Sequence, residues 1–315
     1  MIGWWKIPTC TRGGGADLPH HLRGWGIIGG GLAGFPQHAW QHGRVIAFSD
    51  AHVSLGDRGL LFGESVYEVL PVTCNKARLV QAHVDRMRRG AAALGLADTL
   101  VDLELWTNIA DELAKAEGIR DGLLYLQLTG GSAPRAHLAD ATPELFAYLS
   151  PHTFPDRARA AAGIRCVTAE DPRWARCDLK TTMLLPAVMG KRVARERNAD
   201  EVIWMGKDGL VHEGGSSNVA IVEQGSVIVP PASTLLLPGV TMAAVEMPAP
   251  LVGVDWREEE IDRGRLRAAD EVFIAATSQL VMPVVAIDDV PIADGNAGPV
   301  ATRLAAMLRK LLALE

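Results

Sequence analysis

The segment from Glu201 to Pro231 constrains the fold more than any other stretch of the chain. It reads EVIWM, GKDG, LVHEG, then SNVAIV, EQG, SVIVPP: short runs rich in β-branched residues, paired across tight glycine-containing turns. Branched side chains crowd a helix and suit a pleated strand, so this region must build antiparallel hairpins. Further strands are expected at GIRCVTA (163–169), LVGVDWREEEI (251–261), EVFIAAT (271–277) and PVVAIDD (283–289). The second half is therefore strand-rich.

Helical spacing interrupts this pattern in four places. Val80, Val84, Met87, Ala91 and Leu94 share one stripe, with Gly95 at its end, and a second helix fits Leu103 to Gly118 on Leu105, Ile109 and Leu113. A third suits Leu184 to Asn198, with Leu185, Val188, Met189 and Val193 as its apolar face. The chain closes with a fourth on Val300, Leu304, Met307, Leu308 and Leu311. In the first half, RVIAFSD (44–50), GLLYLQLT (122–129) and ELFAYLS (144–150) read as strands, and VSLGDRGLLFGESVYEVLPV (53–72) as extended segments around a Gly-rich turn. PHTFPDR, with two prolines and no periodicity, is the expected linker at 151–157. The reading is α+β in two domains, 39–150 and 158–315.

Residues 1–38 are expected to be a disordered or loosely docked extension. Their GIIGGGLAGF (Gly26 to Phe35) lacks a signal-peptide cleavage pattern, and Pro36 stands where a nucleotide-loop helix would have to grow. The formal net charge of −6 offers no basic field to a nucleic acid. No apolar run approaches the ~20 residues of a membrane helix. Four cysteines, Cys10, Cys74, Cys166 and Cys177, lie far apart without zinc spacing, which reads as reduced thiols in a cytosolic protein and no metal site. Small-molecule chemistry is what remains.

One lysine is out of place. In CDLKTTMLLP, Lys180 stands among apolar residues just before a helix, where a desolvated amine can condense with a carbonyl. Taken alone it is equally a solvated lysine at a strand end. Its surroundings change that reading: DRGLLFGESVYEV, HVDRM, DLKTTMLLP, VHEGGSSNVAIV and LLLPGVT, met in this order, resemble the class IV, or fold type IV, aminotransferases that use pyridoxal 5'-phosphate. The resemblance spans about residues 39 to 312 and implies an N-terminal α/β sandwich and a C-terminal pseudo-barrel of strands with helices.

It also implies roles. Lys180 is the Schiff-base lysine and proton carrier, and Glu213 is the carboxylate that pairs with the pyridine nitrogen. Arg86 and the Val240–Thr241 pair after Gly239 are the phosphate anchors; Ser216, Ser217 and Asn218 are hydrogen-bonding groups nearby, and Leu237 packs on the ring. In the D-amino-acid aminotransferases a stretch like TGGSAPRAH supplies an arginine and a histidine that, with a strand tyrosine, hold the substrate carboxylate; here these are Arg135, His137 and Tyr67. An arginine fork matches a carboxylate bidentately, and pinning it decides which face of the substrate carbon meets the lysine. The resemblance further implies a homodimer, with Arg135 and His137 reaching in from the partner subunit.

The chain departs from the family pattern at Gly130, at Gly215 and at Met242, where arginine, serine and arginine are frequent. The Gly215 change is expected to remove a hydrogen bond near the cofactor, about 1 kcal/mol. The expected activity is transfer of the amino group of a D-amino acid such as D-alanine to a 2-oxo acid such as 2-oxoglutarate. Alternatives are an aminodeoxychorismate lyase-like enzyme, a branched-chain L-amino acid aminotransferase, and a non-catalytic descendant of the fold.

Overall fold

A computed structural model of the chain describes residues 35–315. The extension expected at 1–38 lies outside the described residues up to residue 34, and strand pairing begins at His38 opposite Ala47. The first half contains β1 (His38–Gln41), β2 (Arg44–Ala47), α1 (Arg58–Phe62), β3 (Ser65–Thr73), β4 (Lys76–Ala77), α2 (Val80–Leu94), α3 (Leu103–Glu117), β5 (Gly122–Thr129) and β6 (Glu144–Pro151). Its strands form one antiparallel sheet in the order β2-β1-β6-β5-β3-β4. Strand alternation sorts the residues of β3 and β5 between the two faces of this sheet. Val66, Leu70, Leu124, Leu126 and Leu128 bury against α2 and α3, whose Val84, Met87, Trp106, Ile109 and Leu113 complete the core. The other face carries all three tyrosines of the chain, Tyr67, Tyr125 and Tyr148, stacked ring on ring.

The second half contains α4 (Arg157–Ala162), β7 (Ile164–Glu170), α5 (Leu185–Glu196), β8 (Glu201–Met205), β9 (Val211–Gly214), β10 (Asn218–Glu223), β11 (Ser226–Val229), α6 (Val240–Glu246), β12 (Trp256–Glu258), α7 (Arg263–Ala268), β13 (Glu271–Ala276), β14 (Leu280–Ile287), β15 (Val290–Pro291) and α8 (Pro299–Leu311). Nine strands join in one sheet, β12-β11-β10-β13-β14-β7-β8-β9, with β15 on the edge of β14. The inner faces of its strands meet in a single apolar cluster that includes Ile164, Ile203, Val219, Ile228, Ile274 and Met282, so the sheet curls on itself. Val300, Leu304 and Leu308 of α8 cover the outside together with α6. The protein is thus a two-domain α+β fold with mixed helices and two curled sheets.

Three local expectations are corrected. The Gly-rich turn before β3 is the short helix α1: Asp57 caps it by accepting from Leu60 N, and Gly63, at φ +70°, ends it. RVIAFSD is a strand only to Ala47, then a single 3-10 turn, and LVGVDWREEEI is a strand only over Trp256–Glu258. The apolar face of α5 points outward. Leu185, Val188 and Met189 are 66, 45 and 49% exposed, whereas Gly190 and Ala194 are buried. A methyl at Gly190 would run into Trp204 and Val202, so the helix docks on its small residues to make room for that indole.

Candidate active site

The loop from Asp171 to Leu184 links β7 to α5 and is stitched to both halves of the molecule. The N–H of Tyr67 donates to the carbonyl of Lys180 at 3.0 Å, Thr181 forms a bridge with Val66, and the Ser65 and Thr182 hydroxyls lie 2.5 Å apart. On the other side Cys177 N donates to Thr234 O at 2.7 Å. Lys180 is therefore fixed where the two sheets meet. It projects into a cavity of about 790 Å³, within the range of small-molecule sites.

Tyr67, Arg86, Lys180, Glu213, Ser216, Ser217, Asn218, Leu237, Val240 and Thr241 all line this cavity. The structure thus brings together ten of the twelve residues singled out from sequence. The Lys180 amine sits 3.3 Å from the Tyr67 hydroxyl and 4.4 Å from the centre of its ring. Among the described residues no carboxylate forms an ion pair with it. Tyr67 is braced from behind by Tyr125, which is itself stacked on Tyr148.

Arg86 in the cavity wall is 7% exposed. Its Nε and Nη2 donate to the two oxygens of Glu68 at 2.7 Å each, and Nη1 donates to Pro238 O at 2.9 Å. His83, one turn before Arg86 on α2, places Nδ1 2.7 Å from Glu68. Burial alone would raise the pKa of Glu68; Arg86, then His83, overcome it and bring it down to about 2. Beside Arg86 lies the first turn of α6, with Val240 and the buried Thr241. Gly239 opens that turn without a capping side chain, and a Cβ there would fall 1.8 Å from Asn218 Oδ1.

Glu213 on β9, also in the cavity wall, is 6% exposed. Arg173 Nη1 donates to its Oε1, and Leu237 N and Asn218 Nδ2 donate to Oε2 at 3.0 and 3.3 Å. Arg173 also grips Asp171 through Nε and Nη2, and His212 Nδ1 lies 2.8 Å from the same acid. Burial pushes the Glu213 pKa up, against the pull of Arg173, the Leu237 N–H and Lys180. Behind the Gly214–Ser217 turn, the hydroxyls of Ser216 and Ser217 donate to the fully buried Glu201, which is ion-paired with Lys191 at 2.8 Å. A Cβ on Gly215 would meet Val202 and Glu201, so a side chain at 215 is directed toward that wall.

Arg135 and His137 do not line this cavity. Both are exposed on the loop between β5 and β6, with the Arg135 guanidinium 5.6 Å from the Phe62 ring centre and the His137 ring 5.6 Å from the same ring. Sequence reasoning also passed over Glu68, His83, Arg173, Asp171, His212 and Glu201. For two of these a signal was present: Glu68 falls on the buried side of an alternating strand, and His83 lies three residues before Arg86 on one helix face. Arg173 sits in a loop without periodicity.

Such a site brings a cation, a hydroxyl, an amine free of ion pairs and a buried carboxylate to one cavity. The amino-transferase class IV family profile matches residues 65–287 of the chain. The chain belongs to the class IV aminotransferases. The D-alanine aminotransferase of Bacillus licheniformis is 37% identical to it over 276 residues, covering 87% of this chain and 96% of that protein. The D-alanine aminotransferase of Staphylococcus aureus is 34% identical over 266 residues, 84% and 93% of the two chains. The crystal structure of the branched-chain aminotransferase of Thermoproteus uzoniensis with norvaline superposes with a TM-score of 0.78 at 25% identity, over 89% of this chain and 96% of that one.

Class IV aminotransferases use pyridoxal phosphate, and the residues present fit it. Arg86 keeps N–H groups free of Glu68 and Pro238 for a phosphate oxygen, with the Thr241 hydroxyl beside it. Glu213 carries three donors, and a carboxylate has about four acceptor directions, so one remains for a protonated ring nitrogen. Bound there, the cofactor supplies an electron sink for the negative charge that develops on the substrate carbon. The protein is therefore a pyridoxal-phosphate-dependent aminotransferase.

Proposed function

We propose that this class IV aminotransferase transfers the amino group of a D-amino acid, D-alanine among them, to a 2-oxo acid such as 2-oxoglutarate. The observation that carries the reading is the Lys180 amine, free of carboxylates and held against Tyr67 between Arg86 and Glu213. The D-alanine aminotransferase relatives point to the substrate class.

In this reading Lys180 is the covalent anchor of the cofactor, and its Nζ removes and returns the proton at the substrate α-carbon. Once the substrate amine displaces it, the released Lys180 amine would already stand beside the substrate carbon, so the proton transfer is local and needs no further side chain. Arg86, Val240 and Thr241 hold the phosphate. Ser217 and Asn218 shape the turn beside it, Ser216 supports that turn through Glu201, and Leu237 packs on the ring. Glu213 keeps the ring nitrogen protonated. Phe62, Leu179 and Leu184 give the cavity an apolar lining that excludes water from the reacting atoms.

Arg135 and His137 bind the substrate carboxylate together with Tyr67, from the neighbouring subunit of a homodimer. Their exposure favours this, as does the apolar surface close by: Leu60, Met183, Leu184, Leu185, Val188 and Met189 are all exposed on one chain. The domains divide at the 151–157 linker. No helix among the described residues is long and apolar enough to cross a membrane, and the unpaired Cys74, Cys166 and Cys177 suit a reducing compartment such as the cytoplasm.

The test is a half-reaction screen that follows the absorbance of the bound cofactor with D- and L-amino acids. Conversion by D-alanine, and its loss in Lys180→Ala, is expected. Preference for L-leucine would establish branched-chain specificity instead. Pyruvate release from aminodeoxychorismate without a keto-acid acceptor would establish the lyase.

A further inference from the structure

Arg58, the first residue of α1, is 6% exposed and lies outside the cavity. Its Nε donates to Glu64 Oε2, its Nη1 to the carbonyl of Ala136 at 2.9 Å and its Nη2 to the carbonyl of His137 at 2.8 Å. The guanidinium lies 5.2 Å from the centre of the Phe62 ring, the ring that Arg135 and His137 also approach. One buried fork thus touches the two carbonyls on either side of His137 and the aromatic platform beneath the two side chains. Among the described residues, no other hydrogen bond reaches the backbone of residues 134–141. The surrounding space is full: a Cβ on Gly130 would stand 2.9 Å from Glu64 Oε2 and 3.3 Å from Arg58 Cβ.

We propose that Arg58, oriented by Glu64, is the positioning residue of the Arg135–His137 arm and thereby sets how tightly a substrate carboxylate is held. The proposal rests on the reading of Arg135 and His137 as the carboxylate donors. An exposed loop without hydrogen bonds of its own samples many conformations, and a two-donor clamp binds only in the few that aim both donors at one carboxylate. Arg58 removes that freedom by fixing consecutive carbonyls, which sets the direction of the chain on either side of His137. Lysine keeps the charge and cannot span both carbonyls and Glu64 at once, because its ammonium is a point donor.

The experiment compares Arg58→Lys, Glu64→Gln, Arg135→Ala and the double variant Arg58→Lys/Arg135→Ala as holoenzymes. The readouts are kcat and KM for D-alanine, and hydrogen–deuterium exchange of peptides covering 132–141. Loss of two hydrogen bonds predicts a KM about 10-fold higher in Arg58→Lys, with kcat changed less than about twofold and faster exchange confined to the arm. Glu64→Gln moves both readouts in the same direction by less. In the double variant Arg58→Lys adds much less than its 10-fold to the KM of Arg135→Ala, since Arg58 then acts only through His137.

An unchanged KM in Arg58→Lys beside a raised KM in Arg135→Ala overturns the proposal and leaves the carboxylate reading intact. So do additive effects in the double variant. An unchanged KM in Arg135→Ala overturns the carboxylate reading and the proposal with it. Should Arg58→Lys fail to fold, Glu64→Gln decides: wild-type KM and wild-type exchange in the arm overturn the proposal.

Discussion

Two buried arginine–glutamate pairs reach the cavity and present different members to it. Glu68 and His83 are buried behind Arg86, and of these three the arginine alone lines the cavity. Arg173, backed by Asp171 and His212, lines the cavity together with its partner Glu213. Arg86 spends two of its donors on Glu68 alone, so the pair overcomes the cost of burial and the acid is held at about 2. Arg173 divides its donors between Asp171 and Glu213; burial then wins at Glu213 and its pKa rises, while Asp171 stays below the usual carboxylate range. A buried arginine–glutamate pair therefore has no intrinsic function. What it does follows from how many donors it shares and which member is left toward the cavity.

The strongest way to break this comparison is Glu213→Gln. The amide keeps the shape and loses the charge, so kcat for D-alanine at saturating cofactor should fall about 10²–10³-fold, the usual size for one lost electrostatic partner at a reacting centre. A fall of less than about threefold would mean that this carboxylate does not act on the reaction. Glu68→Gln should act differently, because Glu68 touches Arg86 and His83 and does not line the cavity. Its expected effect is a cofactor dissociation constant about 10–100-fold higher, by titration of the apoprotein, with a much smaller loss of kcat once the cofactor saturates. Equal losses in kcat for the two variants would erase the distinction drawn here.

The third measurement sharpens the comparison through pH. Glu68 has a folded pKa lowered from 4.5 to about 2, so the stability it contributes is complete above about 4.5 and is lost as the pH falls toward 2. Denaturant unfolding across that window should show stability falling with acid in the parent and in Glu213→Gln, and falling less steeply in Glu68→Gln. Glu213, whose pKa is raised, cannot contribute a loss of that sign. Parallel curves for all three proteins would place the acid-sensitive pair elsewhere.

Much of the fold was legible because its signals are local. The hairpins from Glu201 to Val229 follow from β-branched runs and glycine turns, and α2 from its spacing with Gly95 closing it at φ +71°. The helix α5 shows the limit. Periodicity reveals that Leu185, Val188 and Met189 share a face, yet it cannot say what covers them, and among the described residues they stay 66, 45 and 49% exposed. The site was partly legible for the same reason. Lys180, Glu213 and Thr241 stand in compact motifs, whereas Arg173 meets Glu213 across 40 residues and Arg58 meets Ala136 across 78.

By itself the sequence determined most of the element types, the division into a helix-backed half and a hairpin half, and, through the order of its motifs, the residues to seek at the site, since each of these is written within a few positions. Tertiary packing alone decided that Arg86 is backed by Glu68, that Arg173 is shared between Asp171 and Glu213, and that the Arg135–His137 arm hangs from Arg58. Those pairings join segments distant along the chain, and their strength depends on burial and shared donors that exist only once the sheets have met.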